Sequence, residues 1–171
     1  MPRPAASRRV FDGRHVRVDE EDWPEVGIWE VVRPLDAAGV VALTPSGDVL
    51  LVRQFRPPVR RAVLEIPAGL LDVDGEEPSG CAERELLEET GYRATSIDPL
   101  ATFHPSAGHS SELVHLFLAR TDDRPVRSTE EGLELVRRPF PDAVAEARAG
   151  RIVDAKTALA LLLADARSTA G

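Results

Sequence analysis

The amino-acid sequence predicts an α/β domain, and three features carry the prediction. Two largely apolar runs, residues 39–44 and 49–55, flank a Pro-Ser-Gly-Asp turn, the pattern of a hairpin with buried strands. The segment between Pro78 and Gly91 repeats its apolar residues at helical spacing over about three to four turns. Two shorter helical patterns close the chain, near residues 142–149 and 154–164. At 171 residues, 43% hydrophobic and 29% charged, the chain suits one domain with a real core.

In order, residues 1–8 read as a frayed tail. Residues 10–18 and 28–32 alternate in polarity and read as a strand pair, split by the acidic, turn-prone residues 19–24. Phe11, Trp23 and Trp29 fall here. Each ring suits stacking on a base, and each suits packing in a core or an interface. The hairpin follows, with Arg53, Arg56, Arg60 and Arg61 at its exit. These arginines either balance nearby acids or offer a guanidinium fork to a diphosphate. A short strand then ends near Ile66 and runs into a turn containing Gly69. Pro78 suits the first turn of the next helix, where its missing donor has no intrahelical partner, and Gly91 suits the left-handed position beyond the end. Cys81, Ala82, Leu86 and Leu87 form the apolar side of that helix, while Glu85, Glu88 and Glu89 share a second face. Residues 94–103 and 113–119 read as strands joined by the polar loop 104–112. A polar stretch at 121–129, a strand at 133–137 and the two closing helices complete the order. The last helix presents an Ala158, Leu159, Leu162, Leu163 stripe to the core.

Three carboxylates on one helix face repel, each like-charged neighbour costing roughly 0.2–0.5 kcal/mol. Arg84 reaches Glu88 across one turn, and one guanidinium does not neutralise three acids. Such a face is either solvated or holds a hard divalent cation, whose shell takes oxygen ligands, waters and substrate phosphates. The net charge of −8 argues against nucleic acid or an anionic membrane as a partner. Cys81 is the sole cysteine, so no intrachain disulfide forms, and it reads as a small buried apolar residue. His104, His109 and His115 share no helical spacing and have no cysteine partner, which argues against a zinc site. No apolar run spans a membrane and no apolar stretch follows the basic N-terminus, so a cytoplasmic location is expected.

The acid-faced helix and the turn before it resemble the Nudix box, the signature of the Nudix hydrolases. Glu76, seven intervening residues, then Arg84-Glu85-Leu86-Leu87-Glu88-Glu89-Thr90-Gly91-Tyr92 carry the likeness. Six residues, rather than that pattern's five, separate Gly69 from Glu76. In this context the cation reading of the acidic face prevails over the solvated one.

The resemblance covers roughly residues 10–165 and is strongest to the ADP-ribose pyrophosphatase group. It implies an α/β/α sandwich with a mixed sheet and an added N-terminal β-layer. Residues 1–36 would be the dimer-forming strands of a homodimer and residues 37–171 the hydrolase domain. The implied reaction is hydrolysis of a nucleoside diphosphate linked to a further group, ADP-ribose giving AMP and ribose 5-phosphate. Mg²⁺, or Mn²⁺ in its place, is the implied cofactor, with no nucleic acid and no membrane as partner.

By the same resemblance Glu85, Glu88 and Glu89 are metal ligands together with the Ala68 carbonyl, and Arg84 orients the carboxylates. Arg56, in Gln-Phe-Arg-Pro, and Glu65 are substrate contacts. The run Ser106-Ala107-Gly108-His109-Ser110-Ser111-Glu112 resembles the group's substrate loop, with Ala for a Pro and His for an aromatic. Gly108 and Glu112 are therefore substrate candidates, and Trp23 is the candidate ring for the base. Glu131, with Glu130 beside it, stands where the group places a further metal ligand or the catalytic base, and Glu89 joins them as a catalytic candidate. Other readings are a Nudix hydrolase of another sugar nucleotide, a dinucleoside polyphosphate or NADH, a non-catalytic ADP-ribose sensor, and a plain interaction domain. The presence of all three carboxylates favours an enzyme.

Overall fold

In the computed structural model, which describes residues 2–14 and 16–169, the chain opens with three antiparallel strands: β1 (Ala6–Asp12), β2 (Arg17–Trp23) and β3 (Gly27–Arg33). The expected tail is shorter than residues 1–8, since β1 starts at Ala6; residue 1 lies outside the described residues. The acidic run expected as a turn is the middle of β2 instead. Arg9 pairs with Asp19 at 2.5 Å, Arg8 with Glu20 at 3.0 Å, and Arg33 with Glu21. Arginines on both neighbouring strands thus turn the acids into cross-strand partners. The β2–β3 turn falls at residues 24–26 and ends on Gly27, whose φ of 83° suits glycine.

A second sheet contains β4 (Ala37–Leu43), β5 (Asp48–Arg56), β6 (Arg61–Glu65), β7 (Ala68–Leu70), β8 (Ala94–Phe103), β9 (Val114–Thr121) and β10 (Glu134–Pro139). Its order is β10-β5-β4-β9-β8, with β6 paired to β5 and β7 to β4. The β4–β9 pair is parallel and the other pairs are antiparallel, so the sheet is mixed. The helices are α1 (Pro78–Thr90), α2 (Phe140–Arg148) and α3 (Ala155–Thr169).

Alternation along β4 divides it between two cores. Ala38, Val40 and Ala42 join Leu50 and Phe117 beneath Cys81, Ala82 and Leu86 of α1. Val41 and Leu43 join Val49 and Leu51 beneath Ala143 and Val144 of α2 and Ala160 and Leu161 of α3. Helices therefore cover both faces, giving the expected α/β/α sandwich with the N-terminal sheet added. Leu86 and Leu161 are fully buried, and each contributes roughly 2 kcal/mol. Glu85 and Glu89, flanking this packed side of α1, are thereby brought against the β6–β7 turn.

The core stripe of α3 differs from the expected one. Thr157, Ala160, Leu161 and Ala164 are buried, while Ala158, Leu159 and Leu162 pack along its flanks and Leu163 is only partly buried. Small side chains and Leu161 form the buried stripe, and the neighbouring leucines fill the shoulders. Among the described residues no helix is long and apolar enough to cross a membrane.

Candidate active site

The ends of α1 place its acids. Pro78 starts the helix, and Gly91 takes a left-handed φ of 79° while its N–H donates to the Leu87 carbonyl at 3.0 Å. A Cβ on Gly91 would also overlap the Arg127 carbonyl oxygen, so the loop at residues 125–131 lies directly against the helix end. Arg127 Nε donates to Leu87 O at 3.0 Å, and the Glu130 N–H donates to Glu88 O at 3.2 Å. Glu130 and Glu131 reach the acidic face in this way. With Glu88 they line a cavity of about 520 Å³.

The β6–β7 turn closes on the same face. A Cβ on Gly69 would overlap the Glu85 carboxylate, so a side chain there would push that carboxylate aside. The Ala68 N–H donates to Glu89 Oε2 at 3.1 Å. Glu89 is 6% exposed. Burial raises its carboxyl, the Ala68 N–H and Arg56 oppose the rise, and Glu85 and Glu130 add to it, leaving Glu89 pushed up to about 7. Burial also raises Glu85, against the pull of Arg84. Glu88 remains 41% exposed.

Arg84 gathers the remaining charge. Its Nε and Nη2 donate to the two oxygens of Glu76, both at 3.0 Å, and its Nη1 donates to Glu85 at 2.6 Å and Glu88 at 3.3 Å. The additional loop residue does not displace Glu76. Gly75, at φ 77°, and a bond from the Glu76 N–H to Val73 O absorb it in a tight turn.

Arg56 ends β5 with a bidentate contact to Glu65, Nε to Oε1 at 2.7 Å and Nη2 to Oε2 at 2.8 Å. The Arg56 side chain is 42% exposed, whereas that of Glu65 is 2% exposed. Arg56 therefore presents the open face, and Glu65 lies behind it. Lys156 also pairs with Glu65.

Trp23 and Gly108 line a separate cavity of about 540 Å³, with Trp29, Arg33 and His109. Trp29 Nε1 donates to Gly108 O at 3.0 Å, and the Val32 N–H donates to His109 O at 2.7 Å, so β3 fixes the 104–112 loop. Trp23 Nε1 is bonded to Glu21 at 3.0 Å. Glu112 does not line this cavity. Burial raises its carboxyl, with Lys156 opposing and Asp36 adding to the rise.

The structure thus gathers Ala68, Arg84, Glu85, Glu88, Glu89, Glu130 and Glu131 at one face, with Arg56 close enough to act on Glu89. Among the described residues no three His, Cys, Asp or Glu side chains converge as a closed metal cluster; Glu85 faces Arg84 and Glu89 faces the Ala68 N–H. The donor set still suits a hard divalent cation. The side chains of Glu85, Glu88 and Glu89 offer only oxygen, and Gly69 keeps that corner free of a side chain. Sequence reasoning missed Asp154, Lys156 and Thr157, which tie the start of α3 to Glu65 and Ile66. The one signal was that Lys156 is the only lysine in the chain.

A family model described as the NUDIX domain matches residues 33–159. An ADP-ribose pyrophosphatase of Bacillus subtilis (strain 168) is 35% identical over 164 residues, covering 91% of this chain and 88% of that protein. A GDP-mannose pyrophosphatase of Yersinia enterocolitica is 40% identical over 130 residues, covering 68% and 66%. A crystal structure of an "ADP compounds hydrolase" superposes with a TM-score of 0.81 at 22% identity, over 99% of this chain and 95% of the other, a likeness of fold. The chain belongs to the Nudix family, and with its acidic helix face intact it is a Nudix pyrophosphohydrolase.

Proposed function

We propose that the chain hydrolyses the pyrophosphate linkage of ADP-ribose to AMP and ribose 5-phosphate. One observation carries the reading: Glu89 is buried on the acidic face of α1 against the Ala68 N–H, just beyond the Glu65 that holds the partly exposed Arg56 guanidinium. Acid and fork together suit a bridging diphosphate. The choice of ADP-ribose is supported by the relative of that name matching nearly the whole chain.

Glu85, Glu88 and Glu89, with the Ala68 carbonyl, would hold Mg²⁺, or Mn²⁺ in its place, with Glu131 as the further ligand. A cation there would supply charge neutralisation on the diphosphate and acidify water. Arg84 keeps the carboxylates oriented. Arg56 binds the diphosphate oxygens, and Glu65, behind it, fixes that guanidinium. Glu130 or Glu131 takes the proton of the attacking water, both lying on the loop docked against α1. Trp23 stacks on the base, with Gly108 and Glu112 completing the substrate loop. Residues 1–36 join two copies into a homodimer, supported by a β1 that is exposed along its whole length.

A second reading, a GDP-sugar such as GDP-mannose, is favoured by the 40% identical relative. A panel of nucleoside diphosphate derivatives with Mg²⁺, products weighed by mass and the attacked phosphorus located with ¹⁸O water, decides between them. ADP-ribose with the highest kcat/KM supports the first reading, and GDP-mannose in that place replaces it. Thermal stabilisation by ADP-ribose without turnover would make the chain a sensor.

A further inference from the structure

Lys156 stands alone as a lysine, the other twenty of the 21 basic residues being arginine. It occupies the second position of α3, where the positive end of the helix dipole disfavours a cation. A local rule is broken here, and the contacts of the ammonium explain it. Lys156 Nζ pairs with Glu65 Oε2, and with Asp154 Oδ2 at 3.0 Å. Glu65 gives both of its oxygens to Arg56 as well. Asp154 caps α3, its Oδ2 accepting the Thr157 N–H at 2.9 Å and the Thr157 hydroxyl at 2.6 Å. The Thr157 Oγ1 accepts the Ile66 N–H at 2.8 Å. The first turn of α3 is thus fastened to two successive residues, Glu65 and Ile66, just before Ala68 meets Glu89.

We propose that Lys156 is a positioning residue for Arg56: it holds Glu65 in the orientation that aims the guanidinium at the pyrophosphate, without itself touching substrate. The inference rests on the reading of Arg56 as the diphosphate contact. Two carboxylates, Glu65 and Asp154, share two cations, Arg56 and Lys156. With Lys156 removed, Glu65 keeps Arg56 as its ion-pair partner, and the substrate must compete with an acid that no longer shares its charge with the ammonium. An arginine at position 156 is no substitute. Lys156 sets one compact ammonium between Glu65 and Asp154, and a planar fork on a longer side chain does not reproduce that geometry.

The test is steady-state kinetics with ADP-ribose and Mg²⁺ on Lys156→Met, Lys156→Arg, Arg56→Ala and the Arg56→Ala/Lys156→Met double variant. Lys156→Met should raise KM roughly tenfold with kcat within about twofold, and Lys156→Arg should fail to restore it. In the Arg56→Ala background the effect of Lys156→Met should fall below about twofold, because its route to substrate is gone. A full Lys156→Met effect on top of Arg56→Ala, or an unchanged KM in Lys156→Met while Arg56→Ala raises it, overturns the inference alone. If Arg56→Ala leaves KM and kcat unchanged, the reading of Arg56 falls and the inference with it. Glu65→Gln/Lys156→Met removes both charges and leaves no lone buried acid, so it guards against misfolding; it should show the same rise in KM, and a wild-type KM would overturn the inference. The single lysine also gives one ¹⁵N-ammonium NMR signal. That signal should persist in Arg56→Ala and change in Glu65→Gln, and insensitivity to Glu65→Gln overturns the ion pair itself.

Discussion

Glu89→Gln should make the metal-free protein more stable while abolishing turnover. Glu89 is buried, and its carboxyl is pushed from an ordinary 4.5 up to about 7 by burial and by the acids Glu85 and Glu130. A carboxyl raised on folding favours the fold in its protonated form. The native state is therefore not penalised by Glu89 at pH values below 4.5 and loses stability as the pH rises through about 7. At about 1.4 kcal/mol per pH unit, the ionised group costs the metal-free fold on the order of 3 kcal/mol in mildly alkaline solution. Glutamine removes the charge and still accepts the Ala68 N–H. Its amide N–H₂ needs a partner, which leaves a net gain of about 1–2 kcal/mol. For a chain of this size that is a Tm rise of roughly 2–8 °C. The assay is thermal unfolding in EDTA at about pH 8.5 and again near pH 5. The gain should be present at the higher pH and shrink at the lower one. A Glu89→Gln protein that melts no higher than wild type in alkali, or gains equally at both pH values, refutes the reasoning.

Three further outcomes follow from the packing. Gly69→Ala pushes a methyl into the Glu85 carboxylate, which Arg84 holds in place, so kcat/KM should drop about 100-fold or more while circular dichroism stays native. Arg84→Ala releases Glu76, Glu85 and Glu88 together and should cut activity roughly 10- to 100-fold, read by initial rates across a Mg²⁺ titration. Leu86→Ala empties a fully buried position between α1 and the sheet and should cost about 2–5 kcal/mol in urea unfolding.

The sequence made some of this legible and hid the rest for physical reasons. The ends of α1 announce themselves because Pro78 and Gly91 are local signals, and a shared face for Glu85, Glu88 and Glu89 follows from helical geometry alone. β2 was hidden because its Asp19, Glu20 and Glu21 become strand residues only through arginines on β1 and β3. The stripe of α3 is hard to place because Thr157, Ala160 and Ala164 are less hydrophobic than the leucines beside them, yet they are buried together with Leu161. The second partner of Glu65 is invisible in the sequence because Lys156 lies 91 positions away. Nothing in a one-dimensional pattern says which of three acids is buried; Glu89 is, because the β6–β7 turn folds over it.

The most direct test of the acidic face as a dication site is a Mn²⁺ titration followed by electron paramagnetic resonance of the free ion. Wild-type protein should deplete the free-ion signal, and Glu85→Gln/Glu89→Gln should leave it close to that of buffer alone. Equal depletion by the two proteins would contradict the account.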